Sequence, residues 1–191
     1  MFHRSHLITS LVASLFVLSC PLGSLAEEAT AKKTETINVF GEGTLSVPAD
    51  FQRTKPKSSI IQHEFVAKAG EGDDAKTARV TMMGASGGVE ANITRWKGQF
   101  AGGKEEDQKT EAMELGDWKV HLVDVNGTYA ESMRGGPFAP GKTVKRENYA
   151  MAGAIIAHKQ GRTFFVKMIG PQEVITKNRK AFVKMIKSIE K

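Results

Sequence analysis

Apolar and polar positions alternate along most of this chain in short runs, the period-two signature of half-buried strands. Residues 37–40 and 44–47 read as two short strands around Gly41 and Gly43, with Pro48-Ala49-Asp50 as the turn that follows. In residues 59–68 Ile61, His63, Phe65 and Ala67 fall on one side of a strand, and Gln62, Glu64 and Lys68 on the other. Residues 70–74 form a loop and 77–83 a buried strand. Residues 109–115 and 118–125 flank a Gly116-Asp117 turn, and Asn126-Gly127 is a hairpin signal ahead of 128–131. A glycine- and proline-rich loop over 132–143 leads to strands at 149–158 and 162–169, joined across Lys159-Gln160-Gly161. In the last of these Phe164, Val166 and Met168 alternate with Thr163, Phe165 and Lys167.

Two segments repeat at the helical interval instead. Over 89–100, Val89, Ile93, Trp96 and Phe100 form one narrow apolar stripe, closed by Gly102-Gly103. The final segment opens near Pro171, a favoured first-turn residue, and places Ile175, Asn178, Phe182, Met185, Ile186 and Ile189 on one face. Many strands with two helices predict a single α+β domain: a largely antiparallel sheet packed with helices, not a doubly wound parallel sheet.

The first 26 residues break this pattern. Arg4 is their only charged side chain; a run over 7–18 is apolar except for Thr9, Ser10 and Ser14; Ser24 and Ala26 stand where a signal peptidase reads small residues. This layout predicts a signal peptide over 1–26, a disordered leader over 27–36 and a domain over 37–191. Val17-Leu18-Ser19-Cys20 also matches a bacterial lipobox, which would leave an acylated Cys20 at the N-terminus. Both readings place the protein outside the cytoplasm, periplasmic or extracellular, and differ on whether a lipid holds it there. Cys20 is the one cysteine, so the domain has no disulfide; a domain of this length builds an adequate core without one. The net charge of +6 favours an anionic partner over a cationic one but excludes little.

Leu45-x-Val47-Pro48 followed by Phe51, the helix bearing Trp96 and Phe100, and the closing run Phe164-Phe165-Val166-Lys167-Met168-x-Gly170-Pro171 before Phe182, Met185 and Ser188 form a recognisable set. Together they resemble Mog1/PsbP-like domains, and the likeness spans residues 37–190. It implies an α/β sandwich and a non-enzymatic scaffold that binds a partner. No functional residue of that family maps onto a motif here.

Three motifs invite sharper readings. Gly136 to Thr143 matches the P-loop pattern, but Pro137 and Pro140 remove backbone donors that phosphate needs, and a strand is expected after Lys142-Thr143; no nucleotide is expected there. Gly84-Ala85-Ser86-Gly87-Gly88 matches the nucleophile elbow between a strand and a helix, so a small serine hydrolase using Ser86 is the alternative function. It requires His121 or His158, with Asp124 or Glu131, to converge on Ser86. The same loop also suits the N-terminus of a helix, with or without a small anion. Among His63, His121 and His158 no pair has metal-ligand spacing, and the acidic clusters at 73–74 and 105–107 lack calcium-loop spacing; no metal and no cofactor is expected.

The one extended surface feature is cationic. Lys177, Lys180, Lys184 and Lys187, with Lys191, line the side of the last helix opposite its apolar face. An anionic surface of envelope or protein would meet this stripe; with no aromatic residue among the lysines, specific nucleic-acid binding is not expected. The expected function is therefore non-catalytic: an exported accessory domain that binds another envelope or secreted protein.

Overall fold

The structure, a computed structural model, describes Met1 and residues 34–133 and 141–189. The signal segment, Cys20, most of the leader and residues 136–140 of the P-loop-like motif lie outside the described residues.

Strands β1 (Glu35–Val39) and β2 (Gly43–Val47) form an antiparallel hairpin. Its turn closes through the Glu42 N–H donating to the Val39 carbonyl at 3.1 Å. β1 starts inside the segment expected to be a disordered leader, because Glu35 is engaged by Arg53, whose Nε donates to Oε1 at 2.8 Å. Then come β3 (Gln52–Thr54), β4 (His63–Ala69), β5 (Lys76–Ala85), helix α1 (Val89–Lys97), β6 (Phe100–Ala101), β7 (Lys109–Leu115), β8 (Trp118–Met133), β9 (Lys142–His158), β10 (Thr163–Pro171) and helix α2 (Gln172–Lys187). β3 to β10 make one antiparallel sheet in the order β3-β4-β5-β10-β9-β8-β6, with β7 also paired to β8. The chain is thus an α+β domain: a largely antiparallel sheet packed with helices.

Each face of the sheet has its own core. On one, Phe65, Val80, Met82, Val120, Leu122, Ile156, Phe164, Val166 and Met168 meet the β1–β2 hairpin and α2. The helix presents Val174, Ile175, Asn178, Phe182, Met185 and Ile186; Val174 joins the predicted stripe, and Ile189 of that stripe is buried just beyond the helix end. Two polar contacts seat it: Asn178 Nδ2 donates to the Lys68 carbonyl at 3.1 Å, and Arg179 donates from Nε and Nη2 to the two carboxylate oxygens of Asp124 on β8. On the other face Ile93 and Trp96 of α1 pack on Val123, Val125, Met151, Ile155 and Phe165. Trp96 lies over Gly153 of β9; a Cβ there would stand 2.7 Å from the indole, so only glycine admits the ring this close.

Four local expectations need correction. Helix α1 ends at Lys97, with the Gly98 N–H on the Thr94 carbonyl at 2.9 Å; Phe100 belongs to β6, opposite Tyr129 and 5.0 Å from its ring. Asn126-Gly127 makes no hairpin, since β8 runs through it with an irregular register between Gly127 and Tyr129. Gly127 has φ +138°, and a Cβ there would lie 2.5 Å from the Ala101 carbonyl oxygen, so β6 approaches β8 only past a glycine. The strand read over 59–68 begins at His63, with Ile60 exposed in the turn before it. The loop read over 132–143 is shorter, because Ser132 pairs with Thr143 and Met133 with Lys142.

Candidate functional site

Helix α1 is only 9 residues long. Its contacts cover β8, β9 and part of β10, and none of its buried neighbours is on β3 or β4. What lies beyond its edge on the same face follows from the register. Thr54, Glu64, Thr81, Lys167, Gly153 and Val123 are successive cross-strand neighbours from β3 to β8. The next row reads Gln52, Val66, Arg79, Ile169, Met151 and Val125. Both rows turn from apolar under the helix to polar outside it. There they form the floor of a cleft of about 500 Å3.

Glu64, Arg79 and Lys167 stand in this floor, with Ile61, Val66, Met83 and Ile169 between and around them. Lys55 and Lys57 border it on one side, and Tyr129, Glu131, Arg146 and Tyr149 on another. The two tyrosine rings are stacked, 6.3 Å apart and 8° from parallel. Five cationic side chains thus line the cleft against two carboxylates.

Both carboxylates are already committed. Arg79 Nε and Nη2 each donate to Glu64 at 2.8 Å, a bidentate pair, and the Lys57 backbone N–H donates to Glu64 at 3.0 Å. The Glu64 side chain is only 2% exposed. Its hydrogen bonds from Arg79 hold its carboxyl below the usual range, against the opposing effect of burial. Glu131 accepts from Arg146 Nε at 2.9 Å. The Tyr129 phenol is raised, by burial first and by Glu131 second.

Lys167 has no such partner: among the described residues it makes no hydrogen bond or ion pair to a carboxylate. Its amine lies 5.3 Å from the centre of the Trp96 ring, and the neighbouring charges are Arg95 of α1 and Arg79 of β5. Burial, then these two cations, push its pKa down to about 8. In the same lining the buried Thr54 hydroxyl oxygen is without a hydrogen-bond partner. An amine in this position is poised to receive an anion, because an anion returns the Coulomb energy that burial and like charges remove.

The residues singled out from sequence lie elsewhere. Lys177, Lys180, Lys184 and Lys187 are all exposed on α2, over the opposite face of the sheet, and none pairs with a described carboxylate. Lys191 lies outside the described residues. Ser86 is exposed beyond the end of β5, and its carbonyl accepts from Asn92 Nδ2 at 3.4 Å; the loop does lead into α1, with Gly88 as its N-cap. No hydrogen bond joins the Ser86 hydroxyl to His121 or His158. Those histidines are on opposite faces of the sheet: His158 is buried 4.5 Å from the Trp118 ring, whereas His121 alternates with Val120 and Leu122, which face the α2 core. Burial, then Lys119, lowers the His121 pKa. Gly141 stands just before β9, and Lys142-Thr143 open that strand, not the helix that a P-loop requires.

Sequence reading missed the cleft, although one signal for it was present. On the face shared by Phe165 and Ile169, Lys167 interrupts an otherwise apolar row. In comparisons with known proteins, no family model matches the chain and no curated protein matches it.

Proposed function

We propose that this chain is an exported, non-catalytic binding domain whose partner presents an anionic group to the cleft beside α1. The observation that carries this reading is the unbalanced charge of the cleft, where both carboxylates are already paired and Lys167 is not. Charge of one sign, focused in a concave site with apolar walls, attracts and orients the opposite charge. The export half of the reading rests on the layout of residues 1–26. A scaffold that binds rather than transforms is also what the likeness to Mog1/PsbP-like domains implies.

The test is a melting series at fixed ionic strength with small carboxylates, phosphates and an acidic peptide, each beside its neutral analogue. Anions should raise Tm where their neutral analogues do not, and the rise should shrink in a Lys57→Gln/Arg146→Gln variant. If no anion raises Tm above its neutral analogue, the reading is wrong.

A second reading has its own support. The α2 lysines are exposed and unpaired with any described carboxylate, as a helix that rests on an anionic surface requires. It concerns the other face of the domain and is compatible with the first.

A further inference from the structure

The cleft has two kinds of lining. Glu64, Arg79 and Lys167 lie in its floor, whereas one border carries the stacked Tyr129 and Tyr149 rings, and the apolar Met83 and Ile169 also line it. A bare inorganic anion would use the first and leave the second idle. The volume, about 500 Å3, falls within the range of small-molecule sites.

Resting on the reading above, we infer that the cleft is a site for a small amphipathic anion, a ring-bearing apolar body with one anionic headgroup, and that Lys167 receives the headgroup. Arg79 is already neutralised by the buried Glu64 carboxylate, so an arriving anion gains less Coulomb energy from it. Arg146 is engaged by Glu131 at the rim. Lys167 is the cation in the floor with no anion to give up.

Proton uptake follows from what faces the amine. On its own sheet these are Arg79 and, beyond Thr81, the Glu64 carboxylate that Arg79 neutralises. From α1 come Arg95 and the Trp96 ring. Bordering the cleft are Lys55 and Lys57 on one side and Tyr129, the Glu131–Arg146 pair and Tyr149 on another. No free carboxylate is among them, so the amine in the empty cleft titrates near 8. A bound headgroup supplies the missing negative charge and restores the ammonium.

Titration calorimetry of the purified protein with 2-naphthoate tests this, in two buffers of different ionisation heat. The comparison probes are 2-naphthamide, which keeps the body without the charge, and inorganic phosphate, which keeps the charge without the body. For an amine titrating near 8, binding should take up about 0.9 proton at pH 9 and about 0.1 at pH 7. Naphthoate should bind at one site, and both comparison probes at least about tenfold more weakly. Lys167→Met should abolish the uptake and weaken naphthoate by at least about tenfold, with its fold checked by its own melting curve. Tyr149→Ala should weaken naphthoate but leave phosphate unchanged. Lys119→Gln, exposed near the start of β8 and outside the cleft lining, should change nothing.

Equal binding of naphthoate and naphthamide, or proton uptake that persists in Lys167→Met, overturns the inference. If phosphate or the acidic peptide binds in the cleft while naphthoate does not, the inference falls and the broader anion reading stands. If no anion binds at all, both fall.

Discussion

Replacing Lys167 by methionine should make the free protein more stable. The ordinary lysine pKa is 10.5, and Lys167 sits near 8. Below pH 8 the amine is charged in both folded and unfolded chains, and the folded chain bears the full cost of holding that charge. A difference of this size corresponds to about 3 kcal/mol. The side chain is only partly buried, and solvent screening reduces this to a net cost of about 2 kcal/mol. Between pH 8 and 10.5 the unfolded chain holds more protons than the folded one, so stability rises with pH across that window. Methionine has a similar length, carries no charge and can keep the contact with the Trp96 ring. Urea denaturation at pH 7 should therefore find Lys167→Met more stable by about 2 kcal/mol, or about 4–8 °C in Tm. At pH 10 the remaining cost of the wild-type amine is at most about 1 kcal/mol, and the advantage should shrink accordingly. A variant that is less stable than wild type at pH 7, with the same pH profile, would refute the reasoning. It would mean that the amine finds in the folded chain an anionic partner that the geometry above does not provide.

Three other outcomes follow from the same description. Trp96→Ala and Phe182→Ala, each 1% exposed at the centre of its own core, should each cost about 3–5 kcal/mol in denaturant titrations; a loss under about 1 kcal/mol would show that the helix concerned does not hold its face of the sheet. Changing Lys180, Lys184 and Lys187 together to Gln should leave stability within about 0.5 kcal/mol yet lower the salt needed to elute the protein from heparin or anionic vesicles. The same change at exposed Lys109, Lys119 and Lys145 should have the smaller effect, and equal elution of the two triple variants would reduce the α2 stripe to a solvated face. Mass spectrometry of protein from the native host should find Glu27 at the N-terminus; an acylated Cys20 would establish the lipid-anchored form, and an intact Met1 would exclude both.

The elements legible in the sequence were those with a uniform environment along one face. Phe164, Val166 and Met168 alternate cleanly because β10 lies in the middle of the sheet with a core on each side, and Phe165 reaches the other core under Trp96. The stripe of α2 was legible for the same reason. Local signals failed where a distant strand decided the outcome. Asn126-Gly127 has the chemistry of a hairpin turn, but its glycine answers to the carbonyl of Ala101. Phe100 fits a helical stripe, yet pairing with Tyr129 draws it into a strand. The burial of Glu64 was not legible because nothing near it in sequence announces Arg79.

The cleft was hidden by the same cause on a larger scale. Its lining is gathered from six strands and the turn before β4, and at each position a charged side chain resembles an ordinary outward-facing residue. Only the register places Glu64, Thr81 and Lys167 side by side, and only the shortness of α1 leaves them uncovered. The Ser86 loop and the α2 lysines stood out in sequence because each is contiguous or periodic. Contiguity is a property of the chain, whereas the cleft belongs to the sheet.

A crystal structure of the protein grown with 2-naphthoate tests the central claim most directly. The account predicts the carboxylate within about 3 Å of Lys167 Nζ and the rings against Tyr149, with Arg79 still on Glu64. An empty cleft at saturating ligand, or a molecule whose carboxylate points to solvent while Lys167 has no anionic neighbour, would contradict it.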